Sequence, residues 1–143
     1  MKYYKRKYKY TTAADEEYAT GIQTDADYRV PAQGHAMCIL QADGRLWISR
    51  SYAWDGPSGP TIDTKSFMRA SLVHDALYQL LRETDFGRAD VHEERRKLAD
   101  DVLLEICIAD GMWKWRARWV YAAVRAAGEE AARPKVKKVY VAP

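Results

Sequence analysis

A His-Asp pair inside an apolar stretch is the feature of this sequence best suited to chemistry. His74 and Asp75 have apolar residues on both sides, and Tyr78 follows the histidine by one helical turn. A buried carboxylate needs a partner, because burying an unpaired charge costs a large free energy. A bound cation or a reactive water would satisfy the pair. Hydrogen bonds to Tyr78 and the backbone would do the same in a purely structural network, so both interpretations stay open here.

A second apolar stretch carries an acidic residue in a comparable setting. Asp100 lies within residues 98–108, which are mostly apolar, and it shares a helical face with Arg96. Two packed antiparallel helices lie about 8–10 Å apart, which would let Asp100 accept a hydrogen bond from His74. Such a carboxylate fixes the imidazole tautomer and leaves the other ring nitrogen free to deprotonate water. We therefore predict a catalytic His74–Asp100 dyad with Tyr78 in support.

A Gly-Pro-rich loop precedes the first of these stretches. Residues 54–60 read Trp-Asp-Gly-Pro-Ser-Gly-Pro, in which Gly56 and Gly59 could turn backbone carbonyls inward. Ca²⁺ prefers oxygen ligands, including carbonyls and carboxylates. We predict a calcium site formed by Asp75, Gly56 and Gly59. The alternative is that the loop is only a turn between a hairpin and a helix.

The motifs around both acidic residues resemble known families. His74-Asp75-Ala-Leu-Tyr78 resembles the His-Asp-x-x-Tyr signature of phospholipases A2, which follows a glycine-rich calcium loop, and Leu98-Ala-Asp100 is similar to a downstream element of the parvovirus-capsid type. The resemblance implies that His74 is the general base, that Asp75 binds calcium and that Asp100 orients the histidine. Residues 52–101 also resemble a family of uncharacterised small proteins from tailed phages and prophages, which combines a β-rich N-terminal half with two such helices.

These resemblances imply two functions of different classes. The first is a phage-derived, phospholipase A2-like hydrolase that acts at a phospholipid membrane surface with Ca²⁺ as cofactor. The second is a non-catalytic virion, tail-associated or assembly protein that binds other phage structural proteins. In the second case His74, Asp75, Tyr78 and Asp100 form a buried structural network.

The other two histidines are weaker candidates for a functional site. His35 could join His74, Asp75 and Asp100 in a metal site of the His/Asp phosphohydrolase type. That family is all-helical, whereas His35 is predicted to open a strand. His92 is predicted to be solvated in the first turn of a helix.

Composition and charge restrict the possible partners. Of 143 residues, 48% are hydrophobic and 30% charged, and the net charge is only +3, so no specific binding of nucleic acid is expected. We expect the Lys/Tyr-rich segment from Tyr4 to Tyr10 to form an exposed edge strand. Cys38 and Cys107 are expected in the core. The chain lacks an apolar signal segment, which predicts synthesis in a host cytoplasm, with incorporation into a virion for a phage component.

Turn and periodicity signals predict an α+β protein. Asp43-Gly44 between apolar runs at 35–40 and 45–52 predicts a hairpin. We expect one domain over residues 1–143, in which 1–62 form a small β-meander, 63–128 form a core of about three helices and 129–143 form a basic tail. The helices that carry His74 and Asp100 are expected to be antiparallel.

Capping residues set the expected helix limits. The predicted spans are from between Asp63 and Ser66 to before Gly87, from Asp90 to Asp110, and from about Met112 to Ala127. Asp90 would cap the second helix and Glu93 would complete a capping box. Gly111 and Gly128 would end the second and third helices.

The third helix is rich in tryptophan and arginine. Trp115, Trp119 and Ala122, Ala123 and Ala126 are predicted to form a stripe that faces the core, with the cationic side chains elsewhere. The alternative is a helix that rests at a lipid interface, where tryptophan and cationic residues are favoured.

Overall fold

Short antiparallel strands precede three long helices in the computed structural model, which describes residues 1–6, 9–55 and 65–134. The strands are β1 (Tyr3–Arg6), β2 (Lys9–Thr12), β3 (Glu16–Ala19), β4 (Tyr28–Val30), β5 (Cys38–Leu40), β6 (Arg45–Ile48) and β7 (Ala53–Trp54). The helices are α1 (Lys65–Glu83), α2 (His92–Ala109) and α3 (Lys114–Ala132), with a short 3₁₀ helix at Asp85–Gly87. This order confirms the predicted α+β class.

The strands form two antiparallel sheets, with strand orders β1-β2-β7 and β3-β6-β5-β4. The hairpin predicted at Asp43-Gly44 joins β5 to β6, in which Cys38 pairs with Ile48. Gly44 has φ of +95°, and a Cβ at this position would lie 3.0 Å from the backbone nitrogen of Ile22. Both the backbone conformation and this close approach favour glycine.

The N-terminal segment differs from the single strand predicted from Tyr4 to Tyr10. The chain reverses between β1 and β2, so that Tyr3 pairs with Thr12, and β1 is an edge strand of its sheet. The rings of Tyr3, Tyr10 and Trp54 cluster with centroid separations of 5.5–6.1 Å. A continuous strand would place Tyr3 about 23 Å from Tyr10. The prediction was wrong because this aromatic cluster forms only after the chain reverses.

The helices pack on the sheets around a shared core. Leu40 and Leu46 from the strands and Leu72 and Leu77 from α1 are fully buried in one hydrophobic cluster. The cysteines are also buried and unpaired, as predicted, and burial raises both thiol pKa values to about 12. Among the described residues, no helix is long and apolar enough to span a bilayer.

Helices α1 and α2 run antiparallel, as predicted. Arg69 near the start of α1 forms a bidentate ion pair with Asp110 just beyond the end of α2, at 2.6 and 3.0 Å. In the middle of both helices, His74 contacts Asp100. The order of these contacts along the two helices requires opposite directions.

The start of α2 differs from the predicted capping box, and its end agrees with the prediction. The helix begins two residues after Asp90, which instead accepts a hydrogen bond from Arg88 at 3.1 Å. Glu93 pairs with Arg96 at 2.9 Å. Both carboxylates therefore pair with arginines, and no side chain caps the start of this helix. Gly111, with φ of +93°, follows the helix as the predicted left-handed stop.

Helix α3 is longer than predicted and is rotated relative to the predicted orientation. It continues through Gly128, which is buried. Trp115 and Trp119 are 67% and 49% exposed, whereas Ala117 and Val120 are buried, so the predicted core-facing stripe is wrong. The exposed stripe also includes Ala122, Ala123 and Ala126. Small residues face inward because α3 approaches α1 closely at Gly128, where a Cβ would overlap the Tyr78 hydroxyl.

Candidate functional site

Asp100 is the centre of a buried polar cluster that joins all three helices. Its side chain has no exposed surface. His74 Nε2 and the Tyr78 hydroxyl each donate a hydrogen bond to Oδ1 at 2.7 Å. Arg125 Nη1 donates to Oδ2 at 2.8 Å, and Arg96 Nη1 lies 3.5 Å from the same oxygen. Four side chains thus surround one carboxylate.

This environment keeps Asp100 ionised. Burial alone would raise its pKa, but hydrogen bonds from His74, Tyr78 and Arg125 outweigh that effect and lower it. Glu93 pairs with both Arg96 and Arg125, so two acidic and two basic side chains balance one another. Arg96 and Arg125 therefore both place positive charge beside the Asp100 carboxylate.

The contact with Asp100 determines the tautomer of neutral His74. An ionised carboxylate only accepts hydrogen bonds, so Nε2 carries the proton and Nδ1 keeps its lone pair. Within residues 1–6, 9–55 and 65–134, Nδ1 takes part in no hydrogen bond, and the side chain is 10% exposed. A neutral imidazole in this state can accept a proton from water.

Tyr78 supports both members of the dyad. Its ring lies against that of His74, with centroids 4.0 Å apart, while its hydroxyl donates to Asp100. Burial, followed by the contact with Asp100, raises the pKa of Tyr78, so the hydroxyl remains a donor at neutral pH. Gly128 makes room for this hydroxyl on α3.

Asp75 is half-buried and has a different set of neighbours. It forms no hydrogen bond with the part of the chain that the structure describes. Burial raises the pKa of its carboxyl to about 6; His74 and Arg82 lower it, while the charge of Asp55 raises it. Two carboxylates that interact unfavourably provide oxygen ligands of the kind that a divalent cation prefers. The predicted ligands Gly56 and Gly59 lie outside the described residues.

The described residues do not form a metal site of their own. Across 1–6, 9–55 and 65–134, no three His, Cys, Asp or Glu side chains converge on a position that could hold an ion. The phosphohydrolase-type site with His35, His74, Asp75 and Asp100 is therefore wrong. His35 instead contacts the Ser49 hydroxyl at 3.2 Å in the β-sheet half.

His92 is not the solvated residue that was predicted. It is half-buried, and its Nδ1 lies 3.0 Å from the carbonyl oxygen of Gly87. Its Nε2 is buried and has no partner among the described residues. The prediction was wrong because Asp85–Gly87 forms a 3₁₀ helix that lies against the start of α2.

Arg125 is a cluster member that the sequence reasoning missed. The sequence places the cationic side chains of this helix away from the core, because arginine in a Trp/Arg-rich helix is typical of a solvated position. A usable signal was the spacing of Ala117, Tyr121, Arg125 and Gly128, which lie at intervals of three or four residues. These residues share the face that contacts the other helices.

The region that carries the cluster is similar to a known family of domains. Residues 58–124 match the family model described as Protein of unknown function (DUF1353). The match spans α1, α2 and the first half of α3, and includes His74, Asp75, Tyr78 and Asp100. It covers a little under half of the chain. No curated protein and no solved structure matches the chain.

Proposed function

We propose that this protein is a phospholipase A2-like ester hydrolase in which His74 activates water. One observation supports this function above all others. Asp100, which is fully buried, holds His74 Nε2 at 2.7 Å, while Nδ1 has no partner among the described residues. A general base needs this combination of an oriented ring and an open nitrogen.

The proposed reaction follows from these positions. Nδ1 of His74 takes a proton from water as the water oxygen bonds to the ester carbonyl carbon of a phospholipid. The resulting imidazolium is stabilised by the Asp100 carboxylate. When the tetrahedral intermediate collapses, the ester C–O bond breaks and His74 returns the proton to the alkoxide. The products are a fatty acid and a lysophospholipid.

The phospholipase resemblance implies a bound calcium, for which Asp75 and Asp55 are the candidate ligands among the described residues. The half-buried Asp75 carboxyl and the exposed Asp55 carboxyl are close enough to interact, and the loop after Asp55 would add carbonyl oxygens. The chemistry that Ca²⁺ supplies when bound is polarisation of the ester carbonyl. The role of His74 and Asp100 in moving the proton is separate from this site.

A vesicle assay tests the function. Fatty-acid release from mixed phospholipid vesicles is measured in millimolar calcium for the native protein, His74→Gln and the matched control His35→Gln, whose histidine is exposed in the sheet half. We expect release by the native protein and the control, and a loss of about 10²–10⁴-fold in His74→Gln. Equal, negligible release from all three would refute the function.

A non-catalytic role is the second candidate, and a specific observation favours it. Asp100 joins α1, α2 and α3 through His74, Tyr78 and Arg125, as expected of a network that fixes helix packing. In this case the protein would be a phage virion, tail-associated or assembly component, a context that rests on the sequence resemblance. A stable, fully folded native protein without hydrolysis or a response to calcium would favour it.

A further inference from the structure

The outward face of α3 exposes an unusual amount of tryptophan. Trp113, Trp115 and Trp119 are 70%, 67% and 49% exposed, and the rings of Trp113 and Trp115 lie 6.1 Å apart. Single exposed apolar side chains are common, but grouped aromatic ones on a surface mark an interaction site. We call these three residues the tryptophan patch.

The packing of α3 keeps the tryptophan patch outside the core. Ala117 and Val120 are buried on the opposite side of the helix, and Arg125 is tied to Asp100 at 2.8 Å. A rotation of α3 that turned Trp115 and Trp119 inward would expose the buried small residues and break the hydrogen bond between Arg125 and Asp100. The exposed Ala122 and Ala126 continue the outward stripe from Trp115 and Trp119, so the apolar face extends along the helix.

The segment that carries the tryptophan patch is cationic, and the nearest acidic residues along the chain are Asp110 and Glu129 at its two ends. Residues 111–128 contain four cationic residues and no acidic one. Of the cations, Lys114 and Arg118 are exposed beside the tryptophans. Such a face complements an anionic surface. Two copies of it would repel one another, which disfavours self-association through this helix.

We propose that this face of α3 binds an anionic phospholipid surface. Trp113, Trp115 and Trp119 would lie at the boundary between headgroups and acyl chains, with Lys114 and Arg118 on the lipid phosphates. A single-stranded nucleic acid fits less well, because the alanine half of the stripe has no group to stack on a base or bind a phosphate. The inference names the surface on which the proposed hydrolase acts and, in that sense, rests on the proposed function.

Binding is measured on the native protein in a calcium chelator, so that turnover does not interfere. The probes are vesicles of phosphatidylcholine alone and of phosphatidylcholine with phosphatidylglycerol, scored by co-sedimentation and by the tryptophan emission maximum. We expect binding and a blue shift only with the anionic vesicles. The double variant Trp115→Ala/Trp119→Ala should weaken partition by about ten-fold or more. Tyr4→Ala, which removes an exposed aromatic ring from β1, should bind normally.

Two matched charge-reversal variants distinguish attraction at the tryptophan patch from a general change in net charge. Arg118→Glu should weaken binding to the anionic vesicles, whereas Arg50→Glu, an exposed position in the β-sheet half, should not. The inference is overturned if native protein does not bind anionic vesicles, or if the double tryptophan variant binds as well as native protein. It is also overturned if a single-stranded oligonucleotide binds more tightly than these vesicles, or if the double variant abolishes a native dimer.

A monomeric substrate separates this inference from the proposed hydrolysis. A short-chain phospholipid below its critical micelle concentration presents no surface. Hydrolysis of this substrate without vesicle binding would support the proposed hydrolase and refute the proposed lipid-binding face. Vesicle binding without hydrolysis of either substrate would support the binding face and refute the proposed reaction.

Discussion

At the level of single residues, Asp100 links the packing of the helices to the proposed chemistry. The carboxylate is fully buried and accepts from His74, Tyr78 and Arg125. Arginines balance part of its charge, and His74 gains an acceptor that orients its ring. The same carboxylate therefore supports both the folded state and the proposed base.

Asp100→Asn is expected to lower the free energy of unfolding by roughly 3 kcal/mol at pH 7. The substitution keeps the shape of the side chain but leaves the buried Arg96 and the half-buried Arg125 without their shared carboxylate. Urea unfolding measures the difference. The control is Asp101→Asn, a more exposed neighbour that pairs with Lys97, for which we expect about 1 kcal/mol or less. Equal effects of the two substitutions would contradict the assigned role of Asp100.

The difference between native protein and Asp100→Asn should depend on pH in one direction. The folded pKa of Asp100 lies below its ordinary value of 3.8, so the unfolded state binds the proton first as pH falls. Its contribution is therefore complete above about pH 5 and is lost as pH falls through the folded pKa. Unfolding at a series of pH values should show a constant difference from pH 5 to 8 that narrows below about pH 4. A difference that grows in acid would refute this.

The sequence predicted the dyad better than its surroundings. His74 and Asp100 each interrupt an apolar stretch, and that conflict is visible in the sequence alone. Arg125 and His92 look like ordinary surface residues in the sequence. Their burial depends on how α3 and the 3₁₀ helix pack, which local pattern does not encode.

At the level of elements, Gly128 determines how closely α3 approaches α1. Gly128→Ala should lower the free energy of unfolding by about 1–3 kcal/mol, because the new Cβ would overlap the Tyr78 hydroxyl. Helix propensity alone predicts the opposite, an increase of about 1 kcal/mol in the free energy of unfolding. Thermal or urea unfolding of the single variant decides between these signs.

The Tyr78→Phe background provides the control for Gly128→Ala. Removing the hydroxyl also removes the steric overlap. Gly128→Ala should therefore lower the free energy of unfolding by less in this background than in native protein. A double-mutant cycle measures the coupling between the two positions. Independent, additive effects would show that the contact between Tyr78 and Gly128 is absent.

The elements were predicted where local signals were strong. Asp43-Gly44 gave a hairpin and Gly111 ended α2, since each supplies a turn conformation that glycine favours. The antiparallel pairing of β1 with β2 had no such signal, because the first ten residues contain no glycine. The orientation of α3 was missed because hydrophobicity assigned Trp115 and Trp119 to the core, whereas close packing requires small residues there.

For the molecule as a whole, bound calcium should raise the melting temperature. Above the dissociation constant, each ten-fold increase in free Ca²⁺ adds about 1.4 kcal/mol to the free energy of unfolding. We expect the native protein to show this dependence and Asp75→Asn to lose it. Asp90→Asn, which removes an exposed carboxylate paired with Arg88, is the matched control and should respond as native protein does. No calcium dependence in native protein would favour the non-catalytic role.

The order of the strands and helices along the chain followed from the sequence. Strand signals fill the first half and helical periodicity the second, which is enough for the α+β class. The metal site is a different case, because Gly56 and Gly59 lie outside the described residues and calcium binding stays a prediction.

Asp100 should hold neutral His74 in the tautomer that leaves Nδ1 open, and nitrogen-15 NMR of histidine-labelled protein measures this directly. The chain has three histidines, so His74→Gln assigns the signals. At about pH 9, where imidazoles are ordinarily neutral, we predict a protonated Nε2 and an unprotonated Nδ1 for His74. Asp100→Asn should weaken this preference. A native His74 with its proton on Nδ1 would contradict the proposed base.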